Sequence, residues 1–349
     1  MTATDRRDPE GIATGFTHLH LHTEYSLLDG GNQIEKLVAR VAELGMKACA
    51  ITDHGNIFGA VAFYAACKEK GIKPILGVEA YVTPPGKPRT DRTYSGGGEG
   101  GYHLVLLAEN NVGWQNMLKL CSQAYLTGFY YKPRIDRELL AAHSEGLIAI
   151  NGHLGSEIGD HLLAFHRSGD PKHWAAAVES AEWHAAAFGG GKKWSSGQVV
   201  EWSSEGQGSV PSLAQPPHHL TTQPLPSFFI ELQHHVPEQN AINPLLIKLA
   251  REMKLPLVCD NDAHFLKADD HDAHDTLICI STGKGKFDDS RMHYTPELYV
   301  KSPQQMEGIF GGDDYNNAKY GEAGREALAN ASAIADRCHV ELPLGKNNS

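Results

Sequence analysis

The sequence predicts an α/β protein built as a closed or nearly closed β/α barrel. Three observations lead there. About seven short apolar runs alternate with helical stretches between Phe16 and Cys259, the pattern of a parallel sheet covered on both faces. No glycine fingerprint of a nucleotide-binding fold follows the first run, which argues against an open doubly wound sheet. Finally, His, Asp and Glu gather where the runs end, and barrel enzymes build their sites from loops at the C-terminal ends of strands.

The elements follow in order. Phe16–His22 alternates His18, His20 and His22 with Leu19 and Leu21, so a strand there turns the imidazoles to one face. Asp29 follows a short loop and can return a carboxylate to the same spot. Ile34, Leu37, Val38, Val41 and Leu44 keep helical spacing up to Gly45. The second strand, Ala48–Ile51, runs into Thr52-Asp53-His54-Gly55, and a helix over Phe58–Lys70 stops at Gly71. The third strand, Pro74–Val82, is apolar except for Glu79, a carboxylate that needs a cation or hydrogen bonds to be buried. After a Pro-, Gly- and Arg-rich loop over Thr83–Gly101 come a fourth strand, His103–Leu107, and a helix over Trp114–Leu126. The fifth, sixth and seventh strands are Leu147–Ile150, Phe228–Leu232 and Leu257–Cys259. His153 follows the fifth, and Asp260-Asn261-Asp262-Ala263-His264 follows the seventh. His103 stands at the start of its strand, so position alone leaves it undecided between ligand and core histidine.

Outside this rhythm, Met1–Gly15 is polar and reads as a disordered extension. Gly189–Ser227, rich in Gly, Ser, Pro and Gln, reads as a flexible surface insertion whose His218 and His219 are incidental. The barrel is expected over 16–300, and a helix-rich tail over 301–349, including Gly321–Cys338, should pack beneath or beside it.

Composition narrows the function classes. A hydrophobic fraction of 41% and a charged fraction of 21% describe a globular core, and no apolar run is long enough for a membrane span. The polar N-terminus carries no signal segment, so cytoplasmic residence is expected. Six cysteines occur without a Cys-x-x-Cys pair, which argues against zinc-ribbon chemistry and for buried reduced thiols. A net charge of −11 argues against a broad non-specific nucleic-acid surface, though not against a small basic mouth. Tyr130-Tyr131-Lys132-Pro133-Arg134 supplies two cations for such a mouth, and Lys284, Lys286 and Arg291 are further candidates. Imidazole and carboxylate ligands without thiolates suit zinc, manganese or iron, and their number exceeds what one ion needs. The physical inference is a site with two or more metals, suited to phosphate-ester hydrolysis.

The motifs HLHLHTEYSLLDG, AITDHGNIFGAVAFY, GVEAYV, YHLVLLAENN, FYYKPRID and PLVCDNDAHFL resemble the polymerase-and-histidinol-phosphatase (PHP) domain family, in the form that opens bacterial replicative DNA polymerase III α subunits. The resemblance runs in order from Phe16 to ANASAIADRCHVELPLG and leaves out only the Gly189–Ser227 insertion. It implies a distorted seven-stranded, TIM-like barrel of the PHP type with a metal cluster at His20, His22, Asp29, His54, Glu79, His103, His153, Asp262 and His264. Of these, His20, His22, Asp262 and His264 are assigned the catalytic part, with Lys132 and Arg134 on the substrate. Many relatives carry cysteine at the position of His153; histidine there matches free-standing phosphoesterases of the family. The resemblance further implies a metal-dependent 3′–5′ exonuclease acting on a DNA 3′ end, with other subunits of the replicative polymerase as expected partners. The alternative it leaves open is a non-catalytic module that stabilises the polymerase and docks a separate proofreading subunit. No later region bears the paired aspartates of nucleotide transfer, so polymerase chemistry is not expected of this chain.

Overall fold

The computed structural model describes residues 15–94, 100–189, 226–311 and 320–345. The extension expected over 1–15 and the insertion expected over 189–227 lie outside the described residues, apart from their edges.

Among the described residues the sheet contains seven strands: β1 Ala48–Ile51, β2 Lys73–Val82, β3 Tyr102–Ala108, β4 Arg134–Ile135, β5 Leu147–Asn151, β6 Phe228–Leu232 and β7 Leu257–Cys259. Their order is β1-β2-β3-β5-β6-β7, with β4 pairing β2 off this path. Nearly every strand residue is buried, as a sheet covered on both faces requires. Helices α1 (Ile34–Glu43), α2 (Ala60–Lys70), α3 (Asn111–Leu126), α5 (Glu157–Ser168), α6 (Pro171–Phe188) and α7 (Pro237–Met253) supply the outer layer, with the short α4 at Arg137–Ala142. Two further helices, α8 (His271–Thr282) and α9 (Pro303–Phe310), follow the last strand. Local chemistry sets their limits. Asn110, Asp136, Ser156 and Asp170 accept backbone N–H groups at the starts of α3, α4, α5 and α6, and left-handed Gly71 and Gly169 end α2 and α5.

The sheet departs from the expected all-parallel arrangement. β3 runs antiparallel to both β2 and β5, while β1–β2, β2–β4, β5–β6 and β6–β7 are parallel. Among the described residues no helix lies between β2 and β3, so the chain folds back beside β2 instead of crossing over the sheet. This puts the first residues of β3 at the same end of the barrel as the last residues of β2, with His103 in register opposite Tyr81.

The expected first strand is also different. Thr17–Thr23 forms isolated bridges rather than a ladder, because it is shared between two neighbours. Ala50 and Thr52 donate backbone N–H bonds to His18 O and Leu21 O (both 2.8 Å), and His22 donates to Ala263 O (2.9 Å). The segment therefore joins β1 to the residues after β7 and closes the curled sheet into a distorted TIM-like barrel. The seventh member of the sheet proper is instead β4, a two-residue strand too short to carry a periodic signal.

Helix α10 (Gly321–Arg337) lies across the opposite end. Glu326 accepts the Leu257 N–H at the start of β7, Asn330 donates to Leu257 O, and Arg337 binds Ser227 beside the start of β6. Ala327, Ala331, Ile334 and Ala335 are buried against the core, so this part of the tail packs beneath the barrel. The other end, where β1, β2, β5, β6 and β7 finish, is left for a site.

Candidate metal centre

Each ligand-type side chain reaches that end for a local reason. His20 and His22 share a face of the closing segment, whereas His18 is drawn away to the Lys301 carbonyl at 3.0 Å. His54 follows β1, with its backbone N–H on Ser26 Oγ. Asp29 returns because the 24–31 loop is tied down: His274 Nε2 donates to Asp29 O (2.7 Å) and Gly31 N–H to His264 O (2.7 Å). Gly30 is required in that turn, since a Cβ there would meet Thr23 O at 2.0 Å. Asp262 adopts a left-handed backbone, φ 48°, a conformation Asp tolerates, and so presents its carboxylate to His20 and His22.

Glu79 is the centre of the arrangement. Its Oε1 lies 3.1 Å from His103 Nδ1, 3.1 Å from His153 Nε2 and 3.3 Å from His20 Nε2. Its Oε2 lies 2.7 Å from His54 Nδ1 and 3.3 Å from His22 Nε2. Asp262 Oδ1 adds contacts of 3.3 Å to His20 Nε2 and 3.2 Å to His22 Nε2. Asp29 Oδ2 stands 2.8 Å from His54 Nε2 and 3.4 Å from His264 Nε2. All nine predicted ligand positions therefore come together. Four overlapping triads place their donor atoms within 4.8 Å of one another: His20–His22–Glu79, His54–Glu79–His103, His22–His54–His264 and His20–His153–Glu231.

The donor set fits divalent cations. His20 Nε2, His22 Nε2, His153 Nε2, His264 Nε2 and Asp262 Oδ1 are buried, and they face other ligand atoms at 3.1–3.4 Å without closing well-formed hydrogen bonds. Buried polar atoms are ordinarily hydrogen-bonded, and imidazole and carboxylate atoms that face one another in this way are what shared divalent cations would satisfy. Bonds of 2.0–2.2 Å to a shared cation put neighbouring ligand atoms about 3.0–3.5 Å apart, the separation seen across His20, His22, Glu79 and Asp262.

The surrounding hydrogen bonds fix the imidazole tautomers. Ser26 Oγ donates its proton to Asp53, so it can only accept from His22 Nδ1 (2.9 Å). His264 Nδ1 faces the Asp262 carbonyl (2.8 Å) and must donate. His20 Nδ1 donates to Glu231 Oε1 (3.0 Å). In its neutral form each ring thus presents an Nε2 lone pair to the cluster.

Charges within the cluster are strongly coupled. Burial opposes a charged His54, yet Glu79 and Asp29 raise its pKa to about 10. Burial likewise opposes His153, but Glu231 and Glu79 lift it to about 9. Glu79 is held well below the usual carboxylate range: burial pushes it up, and His103, His54 and His20 outweigh that. A cation entering here must displace imidazole protons.

Sequence reasoning missed Glu231 and Tyr294. Glu231 is fully buried in β6, bonded to His20 Nδ1 and Gln233 Nε2, with its other oxygen 3.3 Å from His153 Nδ1. The signal was available, since a lone carboxylate in FFIEL has the same form as Glu79 in the third strand. Tyr294, hydrogen-bonded to Asp29 and against the His264 ring at 5.2 Å, comes from an irregular loop with no such signal.

Several predicted cations are placed elsewhere. Arg134 is completely buried, and four of its N–H groups go to the carbonyls of Gly128, Tyr94, Arg89 and Asp91. It clamps a loop and is not available to a substrate. Arg291 grips Asp275 through both carboxylate oxygens, Lys286 pairs with Asp272 and Lys284 with Asp288. Lys132 is the exception: its ammonium sits 5.2 Å over the Tyr81 ring, which in turn faces His54 and His103.

The PHP domain family matches residues 18–194. DNA polymerase III subunit alpha of Treponema pallidum is 37% identical over 94% of this chain, and that of Thermus aquaticus 38% over 96%. The chain spans about a quarter of the length of these curated relatives, 24% in both cases. A two-domain protein from Bacteroides vulgatus, described as containing a predicted PHP-like metal-dependent phosphoesterase, aligns over 87% of this chain and 66% of its own. Its identity of 12% and TM-score of 0.37 make that likeness too slight to bear on function. The match over residues 18–194 is the one that decides kinship: this chain belongs to the PHP domain family.

Proposed function

We propose that the chain is a metal-dependent phosphoesterase that removes nucleotides from DNA 3′ ends, a 3′–5′ exonuclease suited to proofreading. The observation that carries this reading is the convergence of buried imidazole and carboxylate atoms at the barrel mouth. Kinship with DNA polymerase III α subunits suggests the substrate.

His20, His22, Asp29, His54, Glu79, His103, His153, Asp262 and His264 would hold two or more divalent cations, of zinc, manganese or iron. Such cations lower the pKa of a nearby water and neutralise charge on the phosphoryl oxygens. The chain's own part is to present that set rigidly. Glu231, Ser26 and the Asp262 carbonyl each hold an Nδ1 proton, so in the neutral rings the opposite nitrogens present lone pairs. His20, His22, Asp262 and His264 form the catalytic side of the cluster, and Lys132 at its rim would hold a substrate phosphate. We assign this activity to residues 16–300, with 301–349 as a supporting tail. The expected setting is the cytoplasm, beside other subunits of a replicative polymerase. Among the described residues no helix is long and apolar enough to cross a membrane.

The test is digestion of a 3′-labelled single strand with zinc or manganese, comparing wild type, His20→Ala, Asp262→Ala and chelator-treated protein. Metal content is measured on each sample. Loss of a ligand should cost orders of magnitude in rate, because the activated water depends on the metal. If wild type supplied with zinc or manganese binds no metal, or nuclease activity survives both substitutions, the non-catalytic docking role replaces this one.

A further inference from the structure

Beside the metal centre lies a row of exposed aromatic rings that nothing in the site accounts for. Phe58, in the loop after β1, is 59% exposed; Tyr125, near the end of α3, 40%; and Phe129, just beyond, 49%. They come from separate elements yet line up. Phe58 and Tyr125 have ring centroids 5.9 Å apart, and Tyr125 and Phe129 lie 6.0 Å apart with their planes within 23° of parallel. Large apolar groups left in water cost solvation free energy, and contiguous ones mark binding surfaces.

Each end of the row leads along the chain to a group at the metal centre. Phe58 stands four residues from His54, and Asn56 braces that loop by donating to His54 O and accepting the Phe58 N–H. Beyond Phe129 the chain passes to Lys132, whose ammonium lies over Tyr81 next to His54 and His103. Flat rings followed by a cation at a hydrolytic centre form the combination that binds single-stranded nucleic acid, where bases stack on aromatics and phosphates meet a positive charge.

We propose that Phe58, Tyr125 and Phe129 form a stacking platform for the last nucleotides of an unpaired DNA 3′ end, and that Lys132 steers the following phosphate into the metal centre. The platform takes its substrate from the phosphoesterase reading above and adds selection for frayed over paired ends. Duplex ends cannot use it without melting.

The test separates the two claims by measuring binding without metal. Fluorescence anisotropy of a 5′-fluorescein oligo(dT) strand is recorded in chelator with the full chain, beside a blunt duplex of the same length. Phe58→Ala and Phe129→Ala should each weaken single-strand binding about fivefold or more, since a stacked base is worth roughly 1–3 kcal/mol. Phe129→Tyr, which keeps the ring, should bind as wild type, and duplex binding should be weak throughout. Thermal melts report whether each variant is folded. Single-strand affinity unchanged in both alanine variants, or duplex bound as tightly as single strand, overturns the platform. The phosphoesterase reading fails on a different measurement, the absence of metal-dependent hydrolysis by wild type.

Discussion

Replacing Glu231 by Gln should weaken metal binding without unfolding the barrel. The substitution conserves volume in a fully buried position, and an amide oxygen can still accept from His20 Nδ1 and Gln233 Nε2. What disappears is the negative charge. A hydrogen bond to a charged partner is worth about 1.5–3 kcal/mol against about 0.5–1.5 for a neutral one, so His20 loses roughly 1 kcal/mol of orientation. His153, whose Nδ1 faces Glu231 Oε2 at 3.3 Å, loses its counter-charge as well. Two rings loosened together correspond to about a ten- to hundredfold weaker site, the usual cost of altering a group that holds a ligand histidine. The assay is competition for zinc or manganese against a chromophoric chelator at pH 7.5, with Glu79→Gln as the ligand-loss comparison. Wild-type affinity in Glu231→Gln, alongside loss in Glu79→Gln, would refute the claim that Glu231 orients His20 and His153.

Two further predictions concern stability. Arg134→Met should destabilise the fold by about 2–4 kcal/mol in urea unfolding, because it strips bonds from the carbonyls of Gly128, Tyr94, Arg89 and Asp91; Lys132→Ala should cost under about 0.5 kcal/mol. Equal stability of Arg134→Met and wild type would show that the clamp is dispensable. His184 is buried against the Phe228 ring, and burial lowers its pKa to about 4, with the bond to the Ser180 carbonyl offsetting only part of that. The unfolded chain takes up this proton near pH 6.5, so the neutral ring's contribution is present above that pH and fades as pH falls towards 4. Stability should therefore drop by about 2 kcal/mol from this group between pH 7.5 and 5, and His184→Phe should lack that part of the drop.

The chemistry was legible where it depends on spacing along one short segment. His20 and His22, Asp53-His54, and Asp262 with His264 are pairs whose placement follows from pleat and strand-end geometry, and all but Asp53 reach the cluster. Asp53 instead holds the Thr23 backbone and Ser26, the hydroxyl that orients His22. Glu79 was legible because a carboxylate in an apolar run announces a buried partner, and Glu231 carried the same signal. The apolar strands and their alternating helices were likewise local, since each buries its own face.

Other features depended on contacts between distant segments. His103 begins its strand, and only the reversed direction of β3 beside β2 brings it to the mouth opposite Tyr81. The first strand became a closing seam because β1 and the residues after β7 compete for its backbone groups. Arg134 and Lys132 are two residues apart and equally cationic, yet one is enclosed by loop carbonyls and the other lies over Tyr81. Side-chain periodicity is a property of neighbouring residues and survives in the sequence. Strand direction, closure and the burial of a charge are set by which distant backbone groups are satisfied together, and that only the folded chain decides.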